Sequence, residues 1–180
     1  MDLTEKKISS RQVFDGVVVK LFVDEVELPD GKKSVREVVR HPGAVCVIPV
    51  TDSGEVIMVR QYRYAFGQPL LEVPAGKLEP GEDPLEAAMR ELEEETGTVA
   101  KSIEHIGELY TTVAIIDEKI QMYLATGLTY KNAHPDDGEF LEVEKIPLDT
   151  LVSMVMNGEI KDSKTQISIL KAHKILSGRK

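Results

Sequence analysis

A layered domain of the α+β or α/β kind is what the 180-residue sequence predicts. Short β-branched runs recur between turn signals, which reads as strands. Three longer segments carry helix caps, at 83–97, 148–157 and 164–178. With 42% hydrophobic residues the chain can bury one core without staples.

The elements follow in order. Leu21–Leu28 and Ser34–His41 alternate roughly and flank Pro29-Asp30-Gly31, a hairpin signal. After the His41-Pro42-Gly43 break, "AVCVIPV" and "EVIMVRQYRY" read as strands around the turn at 51–54. "LLEVPAG", "IEHIGELYTT" and "KIQMYLATGL" are further strands, and "AHPDDGEF" at 133–140 is a loop. Asp83 is placed to N-cap a helix with Pro84 at its first position. Glu86 completes a capping box and Gly97 supplies the left-handed stop. Leu85, Ala88, Met89, Leu92 and Thr96 form its expected core face, within about 100° on a helical wheel. Asp149 is the expected cap of the second helix, Asp162 or Ser163 that of the third.

Bulk properties narrow the function. The lone Cys46 lies in an apolar run, so a buried thiol and a reducing, cytoplasmic setting are expected. The first residues are polar and unlike a signal peptide, and no apolar run nears a membrane span, so no membrane is expected as partner. A net charge of −9 argues against nucleic acid as well. A polyanionic small molecule remains compatible if a cation intervenes.

One segment concentrates that charge. "GKLEPGEDPLEAAMRELEEETG", residues 76–97, holds seven glutamates and one aspartate. Glu91, Glu94 and Glu95 share one helical sector, whereas Glu86 and Glu93 fall elsewhere, Glu93 solvated. Like charges so spaced repel by roughly 3 kcal/mol per pair at an effective dielectric near 20. Hard oxygen ligands on one face suit Mg²⁺, with Mn²⁺ as a substitute, and a divalent ion would reverse the repulsion.

Gly76, Glu82 and Arg90-Glu91-Leu92-x-Glu94-Glu95-x-Gly97 resemble the Nudix box, with Thr98 where that family carries an aliphatic residue. The resemblance implies an α/β/α sandwich with a mixed sheet and metal-dependent hydrolysis of a nucleoside diphosphate linked to another moiety. It also implies metal ligation by Glu91, Glu94, Glu95 and the Ala75 carbonyl. Arg90 would orient the glutamates and Glu82 would support them.

"ELPDGKKSVREVVRHPGAV", "VRQYRY", "LLEVPAGKLEPGEDP" and "EFLEVEKIPL…GEIKDSKT" are similar to the ADP-ribose pyrophosphatase branch of that family. The likeness implies an N-terminal β region over 1–42 that pairs in a homodimer, followed by the hydrolase domain over 43–180. Arg36 and Glu37 would contact adenine, and Arg63 would bind substrate. Glu118, at the acidic end of "TTVAIIDE", would be the general base or a metal-shell group on a mobile loop; Glu139, in the loop at 133–140, is read as a solvated acid, with approach to the metal site as the alternative. Val113-Ala114 stand where the branch carries Pro-Gly. The substrate is thus read as ADP-ribose, with another nucleoside diphosphate sugar such as GDP-mannose, or a dinucleotide, as alternative. A non-catalytic regulatory module is the reading from a different class. Tyr62, Tyr64 and Phe66 are read as core or dimer packing, and none of the four histidines as catalytic.

Overall fold

The computed structural model describes residues 1–135 and 138–179. The chain divides into two compact units, one of 1–43 with 110–119, the other of 44–109 with 120–180.

The first unit is built on an antiparallel sheet of β1 (Lys6–Asp15), β2 (Lys20–Glu27) and β3 (Lys33–Arg40). The β2–β3 hairpin forms where the sequence places it. Gly31, at φ +83°, closes the turn by donating its N–H to Leu28 O (2.9 Å). β1 lies within the expected N-terminal β region, and because every one of its residues is exposed no buried face marks its bounds in the sequence.

The second unit is the expected α/β/α sandwich. A mixed sheet in the order β7-β4-β9-β8 comprises β7 (Ala75–Lys77), β4 (Ala44–Pro49), β9 (Lys119–Tyr130) and β8 (Thr98–Tyr110). β4 runs parallel to β9 and antiparallel to β7. Alternate residues of β4 serve opposite layers, as the two-residue period of a strand requires. Val45 and Val47 pack with α1 (Pro84–Thr96), through Ala87, Ala88 and Leu92. Cys46 and Ile48 share the other core with Leu151 of α2 (Leu148–Met156) and with Ile169 and Ala172 of α3 (Ser163–Ser177). β5 (Glu55–Arg63) is central in a second antiparallel sheet between β10 (Leu141–Pro147) and β6 (Gln68–Glu72). Cys46 is fully buried, and burial pushes its thiol up to about 11, so it is an inert core group.

Several expectations need correction. α1 is rolled from its apolar wheel: Leu85 and Met89 are 40% and 46% exposed, while Ala87 and Glu95 are buried. The two alanines let the helix approach Val45 and Val47 closely, and that contact outweighs burying longer side chains. The roll also carries one edge of the acidic sector into the protein. Asp149 is not the cap of α2, which starts at Leu148 as expected but with Pro147, two residues before Asp149, in the cap position. Glu93 is not simply solvated, since Lys131 Nζ pairs with it at 2.8 Å. Tyr62, Tyr64 and Phe66 are exposed and so not core. β10, unlisted among the expected strands, has no fully buried residue: Leu141, Glu144 and Ile146 are half-buried and the other four exposed. The expected loop at 133–140 includes residues 136 and 137, outside the described residues.

The start of α1 is anchored as expected. Asp83 accepts from the N–H of Leu85 (2.9 Å) and Glu86 (3.3 Å). The returning bond of a full capping box is not formed among the described residues. Asp83→Ala is expected to cost about 1 kcal/mol, lowering the melting temperature by about 2–4 °C. Thermal unfolding followed by circular dichroism checks this. At the other end Gly97 has φ +64°, and a Cβ there would also meet Lys131 O at 2.5 Å.

Candidate active site

The rolled helix sets the geometry of the acidic sector. Arg90 lies at its centre. Its Nε donates to Glu82 at 2.8 Å, and its Nη1 donates to both Glu91 and Glu94 at 2.8 Å. Nη2 donates to the second Glu82 oxygen at 3.1 Å. The planar guanidinium thus forks onto Glu82 and bridges two neighbours. Its proton is held more firmly than in a free arginine, chiefly by Glu82.

Glu95 is the most deeply placed carboxylate of the helix, 5% exposed. It accepts the Ala75 N–H at 3.1 Å. Burial first, with the charges of Glu91 and Glu139 adding to it, pushes its carboxyl up to about 8. Burial also raises Glu91, against the pull of Arg90. Glu139 is half-buried and close enough for its charge to act on both.

Gly76 lies against Glu91. A Cβ at Gly76 would stand 1.9 Å from Glu91 Oε1, so the carboxylate occupies space that only glycine leaves open. Gly76→Ala is expected to displace Glu91, a flexible side chain, and leave the backbone in place. Activity should fall roughly 10–100-fold, the usual effect of disturbing a ligand's supports. The melting temperature should stay near the parent's. Phosphate release and thermal unfolding together test this.

Among the described residues no group of three His, Cys, Asp or Glu side chains already converges as a metal-binding cluster. Arg90 takes up Glu91 and Glu94, and Glu95 turns to a backbone N–H. The donor set nevertheless fits a hard divalent cation. It is all oxygen, it lies on one helix face beside the Ala75-Gly76 strand, and it includes a buried carboxylate on which the charges of Glu91 and Glu139 act more strongly than that of Lys164.

β5 and β6 add a second constellation. Arg63 Nε and Nη2 donate to the two oxygens of Glu72, at 2.6 and 2.8 Å. Lys164, from the first turn of α3, donates to the same carboxylate and sits 3.1 Å from Asp162. Burial pushes Glu72 up, but Arg63 and Lys164 outweigh it and hold the carboxyl below its usual range. Sequence reasoning selected Arg63 and missed Glu72 and Lys164, although a glutamate inside the apolar run "LLEV" was a usable signal.

Arg36, Glu37 and Glu118 belong to the first unit. Arg36 forks onto Glu5, with Nε at 2.9 Å. Glu37 pairs with Val23 in the β2–β3 ladder. Glu118 accepts from Thr111 Oγ1 at 2.8 Å and lies 3.5 Å from His41 Nδ1. The segment expected to be mobile is tied to β3 in this structure. Val39 N–H donates to Ile115 O (2.8 Å), Asp117 N–H donates to Val39 O (3.2 Å), and the Asp117 carboxylate accepts the His41 N–H (2.8 Å). Val113 and Ala114 help line an apolar cavity of about 340 Å³ beside Glu118.

Residues 40–166 match the NUDIX domain model, and residues 5–39 match the nucleoside diphosphate sugar hydrolase N-terminal domain. The chain is 45% identical over 169 residues to an ADP-ribose pyrophosphatase of Bacillus subtilis (strain 168), covering 93% of this chain and 91% of that one. It is 46% identical over 167 residues to a methanol dehydrogenase activator of Bacillus methanolicus, covering 92% and 90%. A crystal structure of an ADP compounds hydrolase superposes with a TM-score of 0.89 at 22% identity, covering 99% of this chain and 98% of that one, a likeness of fold. The acidic helix and its sandwich therefore have a family to which they answer, and the chain belongs to the Nudix hydrolases.

Proposed function

We propose that this Nudix hydrolase cleaves ADP-ribose to AMP and ribose 5-phosphate, using Mg²⁺, for which Mn²⁺ can substitute. The observation that carries the substrate is the 45% identity, across nearly the full length of both chains, to a protein named an ADP-ribose pyrophosphatase. Hydrolases of this family generally need a divalent metal ion. Glu91, Glu94 and Glu95, with the Ala75 carbonyl, would hold it. Such an ion, when bound, neutralises diphosphate oxygens and acidifies water.

The chain's own residues supply the rest. Arg90 holds Glu91 and Glu94 in register with Glu82. Arg63 offers its guanidinium to a diphosphate oxygen. Arg36 and Glu37 recognise the adenine by hydrogen bonds. Glu118 accepts the proton of the attacking water, whose oxygen ends on one phosphate as the phosphoanhydride bond breaks.

Homodimerisation through the N-terminal β region, residues 1–42, is part of the same reading. Its support is β1, exposed along its whole length, with Ile8, Val13 and Phe14 facing solvent. Light scattering at micromolar concentration should give a dimer, and a monomer would remove this part. No helix among the described residues is long and apolar enough to cross a membrane, and the lone buried thiol supports a cytoplasmic setting.

The deciding experiment is phosphate release with Mg²⁺ from ADP-ribose, GDP-mannose, ADP-glucose, NADH and diadenosine polyphosphates, ranked by kcat/KM. ADP-ribose should lead. If GDP-mannose or a dinucleotide leads, Val113-Ala114 have redirected the site. The relative named as an activator favours a second reading, a regulatory module with little catalysis. Absence of turnover on every substrate would select it.

A further inference from the structure

Glu72 is a charge where β6 would be better served by an aliphatic side chain. It lies between Leu71 and Val73, both buried, and is itself only 2% exposed. The Lys164 side chain that meets it is 12% exposed. Burying an ion pair costs desolvation that well-packed apolar groups would avoid, so stability alone does not explain the pair.

The surrounding bonds show what the pair holds. Asp162 caps α3 by accepting the Thr165 N–H at 2.9 Å, and it also flanks Lys164 at 3.1 Å. Thr165 Oγ1 accepts the Val73 N–H at 3.0 Å. Two consecutive residues, Glu72 and Val73, are therefore gripped by the first turn of α3. On its other side Glu72 takes Nε and Nη2 of Arg63. Nη1 has no hydrogen bond among the described residues.

Electrostatics gives Lys164 a separate task. A lone carboxylate would orient Arg63 and at the same time cancel its charge. With Lys164 on the same carboxylate, Glu72 is shared between two cations. Asp162 shares Lys164 in turn, so two cations balance two carboxylates around Arg63, and without Lys164 the set would turn net negative and repel an anionic ligand.

We infer that Glu72 and Lys164 are positioning residues for Arg63. Glu72 fixes the plane of the guanidinium and leaves Nη1 for a diphosphate oxygen. Lys164 offsets the Glu72 charge so that Arg63 still attracts that oxygen. The inference rests on the proposed reading of Arg63 as a substrate-binding residue.

The test is a set of double-mutant cycles read by steady-state kinetics with ADP-ribose and Mg²⁺. Arg63→Ala should raise KM about 10-fold or more, as expected for losing a charge-assisted hydrogen bond. Lys164→Met and Glu72→Gln should each raise KM about 10-fold with little change in kcat. In the Arg63→Ala background neither should add a further rise, because their effect passes through Arg63. Equal rises in both backgrounds, or a loss of thermal stability with no change in KM, would overturn the inference and leave the role of Arg63 intact. No effect of Arg63→Ala on KM would instead show that the reading of Arg63 had failed, and the inference with it. Should Lys164→Met not fold, the Glu72→Gln cycle, which preserves side-chain shape, decides alone.

Discussion

Glu95→Gln is expected to lower kcat by about 1000-fold, equivalent to about 4 kcal/mol of transition-state stabilisation, while the fold survives. Glutamine has the same shape and its carbonyl can still accept the Ala75 N–H, so the bond between α1 and β7 is retained. At a site 5% exposed, where burial already pushes the carboxyl up to about 8, a neutral amide avoids the desolvation cost of the ionised form. The variant should therefore melt no lower than the parent in a chelator. What it should lose is the gain in melting temperature on adding Mg²⁺, because an ion that binds the folded chain stabilises it by mass action. Glu94→Gln should follow the same pattern, with a smaller change in chelator because Glu94 is less buried and contacts Arg90. Parent-like rates in either variant would remove these carboxylates as ligands. A lost Mg²⁺ response with unchanged rates would separate binding of the ion from catalysis.

The sequence was most legible where chemistry is local. Asp83-Pro84 and Gly97 mark the ends of α1 because caps depend on a few adjacent residues. Pro29-Asp30-Gly31 marks its hairpin for the same reason. The roll of α1 was not legible. A hydropathy wheel sorts side chains by polarity and contains no partner, whereas Val45 and Val47 selected the small Ala87-Ala88 face. That roll also carries Glu95 to the Ala75 N–H, so packing and site geometry are one event. β1 falls inside the β region expected over 1–42, but its bounds were not legible because an exposed strand needs no alternation. The Glu72–Lys164 contact joins residues 92 apart in the chain, beyond the reach of any periodic signal. Pattern reading thus found the charged side chains that share a helix turn, and missed those that meet only after the strands and α3 have packed.

Glu118→Gln is expected to reduce kcat by about 100-fold or more with a smaller effect on KM, as for loss of a general base. Its contacts predict the split. The amide oxygen can keep the Thr111 hydroxyl bond, and the segment remains tied to β3 through Ile115 and Asp117. Ground-state structure should thus change little, while the group able to accept a proton from water is gone. Thermal unfolding of the variant should match the parent, which would exclude collapse of the segment as the cause. A rise confined to KM would count against Glu118 as the base. The role would then pass to Glu139, whose charge already acts on Glu91 and Glu95. Glu139→Gln is the matching measurement: if Glu118 is the base, this variant should keep most of its kcat, because at Glu139 it alters only the field felt by the two carboxylates.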